Sequence, residues 1–206
     1  MNTPELPRVH AVTTDAILSR QNFYDRAAML ADSEYLAIHI RGKHLDAATL
    51  ATAVEGLRKR IRHTTLFIND RVDLALILET NVHLPANGLP TEKVKRLVPK
   101  NIMVGRSTHS AAEARHALEQ GSDYVFLGPI WPSQSHPDSA GIGLDPISAS
   151  LPGKIIAIGG IDSERASACA AAGAYGVAVI SSFWENPRPG RVASAILLSL
   201  TRDTDA

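Results

Sequence analysis

Lys154-Ile155-Ile156-Ala157-Ile158-Gly159-Gly160 and Gly176-Val177-Ala178-Val179-Ile180-Ser181-Ser182 decide the fold. Each is a nearly unbroken apolar run that ends in glycine or serine, and a segment of helical spacing over 163–172 separates them. Continuous rather than alternating apolar character suits parallel strands buried on both faces. A strand, a helix and a parallel strand in succession form the unit from which α/β domains are built.

The same unit recurs outward from this pair. Apolar runs at 9–13, 35–40, 65–68, 82–84, 102–104 and 124–127 join 154–158 and 176–180 to give eight expected strands. Helical spacing is read over 22–31, 46–60, 71–78, 91–97, 110–120, 163–172 and 191–201, with a short helix near Asp145. Ser110 with Glu113 reads as a capping box, and Gly121 and Gly173 follow helices where a left-handed residue is wanted. Eight alternating units could close into a barrel or lie open as a doubly wound sheet. Even spacing and the lack of GxGxxG or GxxxxGK[ST] after any strand favour the compact (β/α)8 TIM barrel, with 1–206 as one domain.

Charge narrows the partners. Lysine plus arginine and aspartate plus glutamate both number 21, so no net field favours nucleic acid or an anionic membrane, and an anion has to be caught locally. Cys169 is the single cysteine, which rules out an intrachain disulfide and reads as a small buried apolar residue. The first eight residues lack a basic segment followed by an apolar run, and no stretch of 18 apolar residues occurs, so the expected location is cytoplasmic.

In such a barrel the chemistry lies on loops that follow the strands. His39, Arg41 and Lys43 alternate onto one side after the second strand, and two cations there point to an anionic ligand. Asn69 and Asp70 end the third strand, Asp70 reading either as a helix cap or as a functional carboxylate. His83 and His109 stand at strand ends as structural or functional histidines, whereas His10, His44, His63 and His116 receive no role. Ser107 ends the fifth strand, and the loop after the sixth carries Ser133, Ser135 and His136, a candidate acid–base group. Gly159, Gly160, Ser181 and Ser182 follow the last two strands, where this fold commonly holds phosphate. Trp131 and the Trp184 segment read equally as lids, interface or packing, and a homodimer is left open.

Taken in order, IHIRGK ending at Lys43, INDRVDLAL around Asn69 and Asp70, VGRSTHS at 104–110, DYVFLGPIWPSQSHP at 123–137, IAIGGI at 156–161 and GVAVISS at 176–182 resemble the thiamine phosphate synthase and TenI (thiazole tautomerase) superfamily. The resemblance covers nearly the whole chain. It implies the (β/α)8 fold, a small phosphorylated thiazole or thiamine phosphate ligand, and a phosphate site at Gly159, Gly160, Ser181 and Ser182.

The two branches differ in chemistry. Synthases join a pyrimidine diphosphate to thiazole phosphate with magnesium and cations at the leaving diphosphate, whereas tautomerases shift a proton on a thiazole carboxylate phosphate without a cofactor. Arg41, Lys43, Asn69 and Asp70 resemble the synthase pattern, with Asp70 as its metal ligand. Pro85-Ala86-Asn87-Gly88 replaces that pattern's second metal carboxylate, and His136 stands in place of a lysine, while VHLPANGLP, VGRSTHS and His39 resemble the tautomerase branch. A tautomerase also has a catalytic histidine where this chain has Pro129. The expectation is a tautomerase without metal: His136 or His39 moves the proton, Arg41 and Lys43 face a carboxylate, and Asn69, Ser107, Ser133 and Ser135 complete the substrate site. A magnesium-dependent synthase and a non-catalytic binder are the alternatives.

Overall fold

The computed structural model describes residues 5–30, 33–132, 140–149 and 153–201. Eight parallel strands, numbered in chain order, close into a barrel in which β8 pairs back onto β1. They are β1 Val9–Val12, β2 Leu36–Ile40, β3 Thr65–Asn69, β4 Asn81–Leu84, β5 Val104–Thr108, β6 Tyr124–Leu127, β7 Ile155–Ile158 and β8 Gly176–Val179. Nearly every residue of β1, β2, β6 and β8 is buried, as the continuous apolar runs require when helices cover the outside and side chains fill the inside.

The outer layer comprises α1 Asp15–Leu18, α2 Phe23–Ala28, α3 Ala47–Arg58, α4 Val72–Ile77, α5 Thr91–Leu97, α6 Ala111–Glu119, α7 Asp145–Ala149, α8 Ser163–Ala171, α9 Ser181–Trp184 and α10 Pro189–Thr201. The two short helices α1 and α9 escape the sequence pattern because four residues show no period. Gly121 and Gly173 adopt φ of 91° and 96°, so both helix stops behave as expected. The box at α6 is shifted. The Glu113 amide donates to Ser110 Oγ at 3.2 Å, but the Glu113 carboxylate accepts from the His109 amide rather than from Ser110.

One expected strand needs correction. The apolar run at 102–104 is the approach to β5, and the strand itself is the polar stretch Val104–Thr108. Polar residues are tolerated because alternation sends Arg106 outward, where its guanidinium donates to the carbonyls of Ala86, Gly88 and Leu89, and sends Ser107 inward to His83. Arg106 thereby ties β5 to the loop after β4.

Two apolar clusters divide the core. The larger lies between sheet and helices and contains Leu57, Val94, Cys169 and Ile196. The smaller fills the barrel with Phe67, Met103, Tyr124, Phe126 and Ile156. Cys169 is buried, and desolvation pushes its thiol up to about 12, in keeping with a packing role. Trp184 belongs to packing as well: it is buried, its indole N–H donates to the Val12 carbonyl at 2.8 Å, and it lies against Phe23. Among the described residues no helix is long and apolar enough to cross a membrane.

Candidate functional site

A cavity of about 380 Å3 opens at the carboxyl ends of the strands, within the range of small-molecule sites. Val12, Phe126 and Ala178 contribute apolar lining, and polar groups stand on two walls.

Gly159, Gly160, Ser181 and Ser182 line one wall together. Gly159 and Gly160 have φ of 102° and 66°, and a Cβ would lie 2.6 Å from Pro129 Cβ at the first and 2.8 Å from the Pro132 carbonyl oxygen at the second. Both positions therefore require glycine on two grounds, backbone conformation and space. Facing them, α9 begins at Ser181, whose amide and that of Ser182 belong to the helix start that has no partner within the helix. The Ser182 hydroxyl is spent on the Ile161 carbonyl at 3.0 Å, which leaves its amide for a ligand.

Arg165 is the residue of this wall that the sequence pattern conceals. It sits in the first turn of α8, lines the cavity, donates to the Gly160 carbonyl at 2.6 Å and lies 5.1 Å from the Trp131 ring centroid. Trp131 thus packs as the platform for a guanidinium. A cation at a helix N-terminus opposes the macrodipole, and the Gly160 carbonyl and the Trp131 ring offset that cost. Asp162, also lining the cavity, accepts from the amides of Glu164 and Arg165 as the α8 cap.

Arg41, Asn69 and Ser107 form the opposite wall. Thr13 fixes the end of β2, its hydroxyl accepting from the Arg41 amide at 2.8 Å and lying 3.0 Å from the His39 carbonyl it donates to. Lys43 is not part of this wall. The chain has left β2 by Ile40, and Lys43 is exposed on a loop whose Lys43 and His44 amides donate to the Asp15 carboxylate. Those bonds hold Asp15 below the usual carboxylate range, and it shares its surroundings with Arg41. His109 lines the cavity with Nδ1–H on the Gly128 carbonyl at 2.7 Å.

His39 is elsewhere. It points inward below the cavity, is fully buried, and stacks on Phe67 with centroids 4.6 Å apart and planes 4° from parallel. His10, which the sequence leaves without a role, and His83 lie in the same interior. Both ring nitrogens of each are engaged: His10 with the Pro7 carbonyl and His39, His39 with His10 and Asn69, His83 with Tyr124 and Ser107. Desolvation pushes His10 and His83 down to about 3 and His39 well below its ordinary value, so all three are neutral. A neutral histidine with both nitrogens spent and no surface on the cavity is not placed to exchange protons with a ligand, which corrects the expectation for His39.

Ser133, Ser135 and His136 lie outside the described residues. Asp70 does not cap α4, whose cap position is Arg71 with no side-chain capping bond; Asp70 is exposed at φ 67° at the end of β3. Among the described residues no three carboxylate, histidine or cysteine groups come together as a metal site, and Pro85-Ala86-Asn87-Gly88 adds no carboxylate beside Asp70. A divalent cation held between two protein carboxylates does not fit these residues.

The family model described as thiamine monophosphate synthase matches residues 9–183. A provisionally named thiamine-phosphate synthase of Aquifex aeolicus is 37% identical over 188 residues, covering 88% of this chain and 100% of that protein. The thiamine-phosphate synthase of Methanoculleus marisnigri is 36% identical over 182 residues, covering 84% and 86%. A solved thiamine phosphate pyrophosphorylase from Pyrococcus furiosus superposes with a TM-score of 0.72 at 25% identity, over 94% of this chain and 95% of that one. These findings overturn the expected tautomerase. The relatives are named synthases across the full barrel, and one lost carboxylate and one lysine exchanged for histidine weigh less than that extended similarity.

Proposed function

The chain belongs to the thiamine monophosphate synthase family, and on that premise we propose that it is a transferase that joins a pyrimidine diphosphate to thiazole phosphate with release of diphosphate. In that reaction the thiazole nitrogen attacks the methylene carbon on the pyrimidine, and the carbon–oxygen bond to diphosphate breaks.

The observation that carries the proposal is the pairing of two polar walls across one cavity. Gly159, Gly160 and the amides of Ser181 and Ser182 suit a phosphate monoester, and Arg165 adds a positive charge beside them. Across the cavity Arg41 and Asn69 suit the second phosphorylated substrate. A reaction that expels diphosphate gains from donors already aimed at the growing negative charge, since fixed dipoles need no reorganisation. Arg41 is such a donor, held by Thr13 at the strand end. The apolar surfaces of Val12, Phe126 and Ala178 between the walls exclude water that would compete with the thiazole nitrogen for the methylene carbon.

The test is diphosphate release from pyrimidine diphosphate, measured with and without thiazole phosphate. Release that depends on thiazole phosphate supports the transferase. No release, or release at the same rate without the thiazole, removes it.

A further inference from the structure

Two of the three buried histidines, His10 and His39, have donors and acceptors that can be counted from a fixed end. His10 Nε2 lies 2.9 Å from the Pro7 carbonyl oxygen, which can only accept, so Nε2 carries the proton. A neutral His10 then offers a lone pair at Nδ1, and the 2.9 Å contact from His39 Nε2 requires that His39 also be protonated at Nε2. His39 Nδ1 is therefore a lone pair in turn. It lies 3.2 Å from the Asn69 amide atom assigned as Oδ1. Two acceptors cannot bond, and an amide's oxygen and nitrogen are told apart by their network.

Both imidazoles are fully buried, and the groups around them argue for neutrality. Phe67, Tyr124 and Phe126 surround His10 and His39, the His83 ring centroid stands 5.3 Å from that of His39, and the arginines that act on His83, Arg41 and Arg106, are cationic. Holding a proton there without a counter-charge would be costly.

We propose that His10 and His39 are positioning residues that turn the Asn69 amide so that Nδ2 donates to His39 and Oδ1 faces the cavity. The wall at Asn69 is then an acceptor, and it selects a ligand that presents an N–H donor, such as an amino group on an uncharged heteroaromatic ring. The relay of hydrogen bonds runs from the Pro7 carbonyl through His10 and His39 to Asn69 at the cavity wall. Two buried rings thus convert a backbone acceptor into a defined side-chain orientation. The ligand half of the proposal rests on the transferase reading, which places a pyrimidine in this cavity; the orientation of Asn69 does not.

Nitrogen-resolved NMR of 15N-histidine-labelled protein at neutral pH tests the relay directly. The expected spectrum shows His10 and His39 each protonated at Nε2 and bare at Nδ1. A proton on His39 Nδ1, in either the other neutral form or the charged form, overturns the proposal. Asn69→Asp supplies an independent readout, since a carboxylate has no N–H to give: His39 is expected to gain a proton at Nδ1 in that variant, and an unchanged His39 spectrum also overturns it. For the ligand half, calorimetry compares a pyrimidine diphosphate with its analogue lacking the ring amino group. Loss of about tenfold in affinity, the worth of one hydrogen bond, is expected in the wild type and not in Asn69→Ala. Equal affinities for the two compounds in the wild type overturn the ligand half. Diphosphate release dependent on thiazole phosphate, measured alongside, reports separately on the transferase reading.

Discussion

Lowering the pH from 7.5 to 5 should destabilise this barrel by an amount set by its buried histidines. His10 and His83 are held down to about 3 and His39 well below its ordinary value, because burial penalises the charged ring. In the unfolded chain each titrates near 6.5. Their contribution is therefore complete above the unfolded value and is lost as the pH falls through it, since the unfolded chain takes up protons the barrel interior refuses. At pH 5 His10 and His83 each cost about 2 kcal/mol, about 4 kcal/mol together, and His39 adds in the same direction. That is a large share of the roughly 5–15 kcal/mol that separates folded from unfolded domains. The aspartates held below the carboxylate range, Asp15, Asp46 and Asp73, titrate near 3.8 when released, so their loss falls in a lower window. Urea unfolding followed by circular dichroism at closely spaced pH values gives the slope. In His83→Gln the fall between pH 7.5 and 5 should shrink by about 2 kcal/mol. A free energy of unfolding that stays level across this range, or an unchanged slope in the variant, would refute the assignment of three neutral buried rings.

Further outcomes follow from the walls of the cavity. Gly160→Ala places a Cβ 2.8 Å from the Pro132 carbonyl at φ 66°, and the KM for thiazole phosphate should rise at least tenfold in steady-state assays while that for the pyrimidine substrate changes little. Arg165→Gln removes the guanidinium beside Gly160 and should weaken thiazole phosphate about tenfold by calorimetry, with no comparable effect on the dephosphorylated thiazole alcohol. Arg106→Ala frees the carbonyls of Ala86, Gly88 and Leu89 and should lower stability by about 2 kcal/mol, seen as a reduced Tm.

The eight-strand barrel is legible in the chain because buried parallel strands leave continuous apolar runs, and Tyr124–Leu127 is read to the residue. Val104–Thr108 is read short for the opposite reason: its polar side chains find partners, Arg106 outside and Ser107 inside, that no local pattern reveals. That Gly159, Gly160, Ser181 and Ser182 line one cavity is legible because residues after strands seven and eight gather at the carboxyl mouth of this fold. Arg165 is concealed by its place on a helix, where spacing reads as solvated surface until the fold brings Trp131 and Gly160 beside it. Lys43 reads as a partner of Arg41 on the assumption that the strand continues, and the strand stops at Ile40. His10 and His39 are single polar residues within apolar runs, and nothing along the chain says that they meet at 2.9 Å.

A transferase of this kind requires one cavity to hold two phosphorylated substrates, one at each wall. Mass-resolved quantification of thiamine phosphate and diphosphate from a single reaction of the purified protein with pyrimidine diphosphate and thiazole phosphate tests this most directly. Equal amounts of the two products, both abolished when either substrate is omitted, are the expected result. Diphosphate without thiamine phosphate, or neither product, would contradict it.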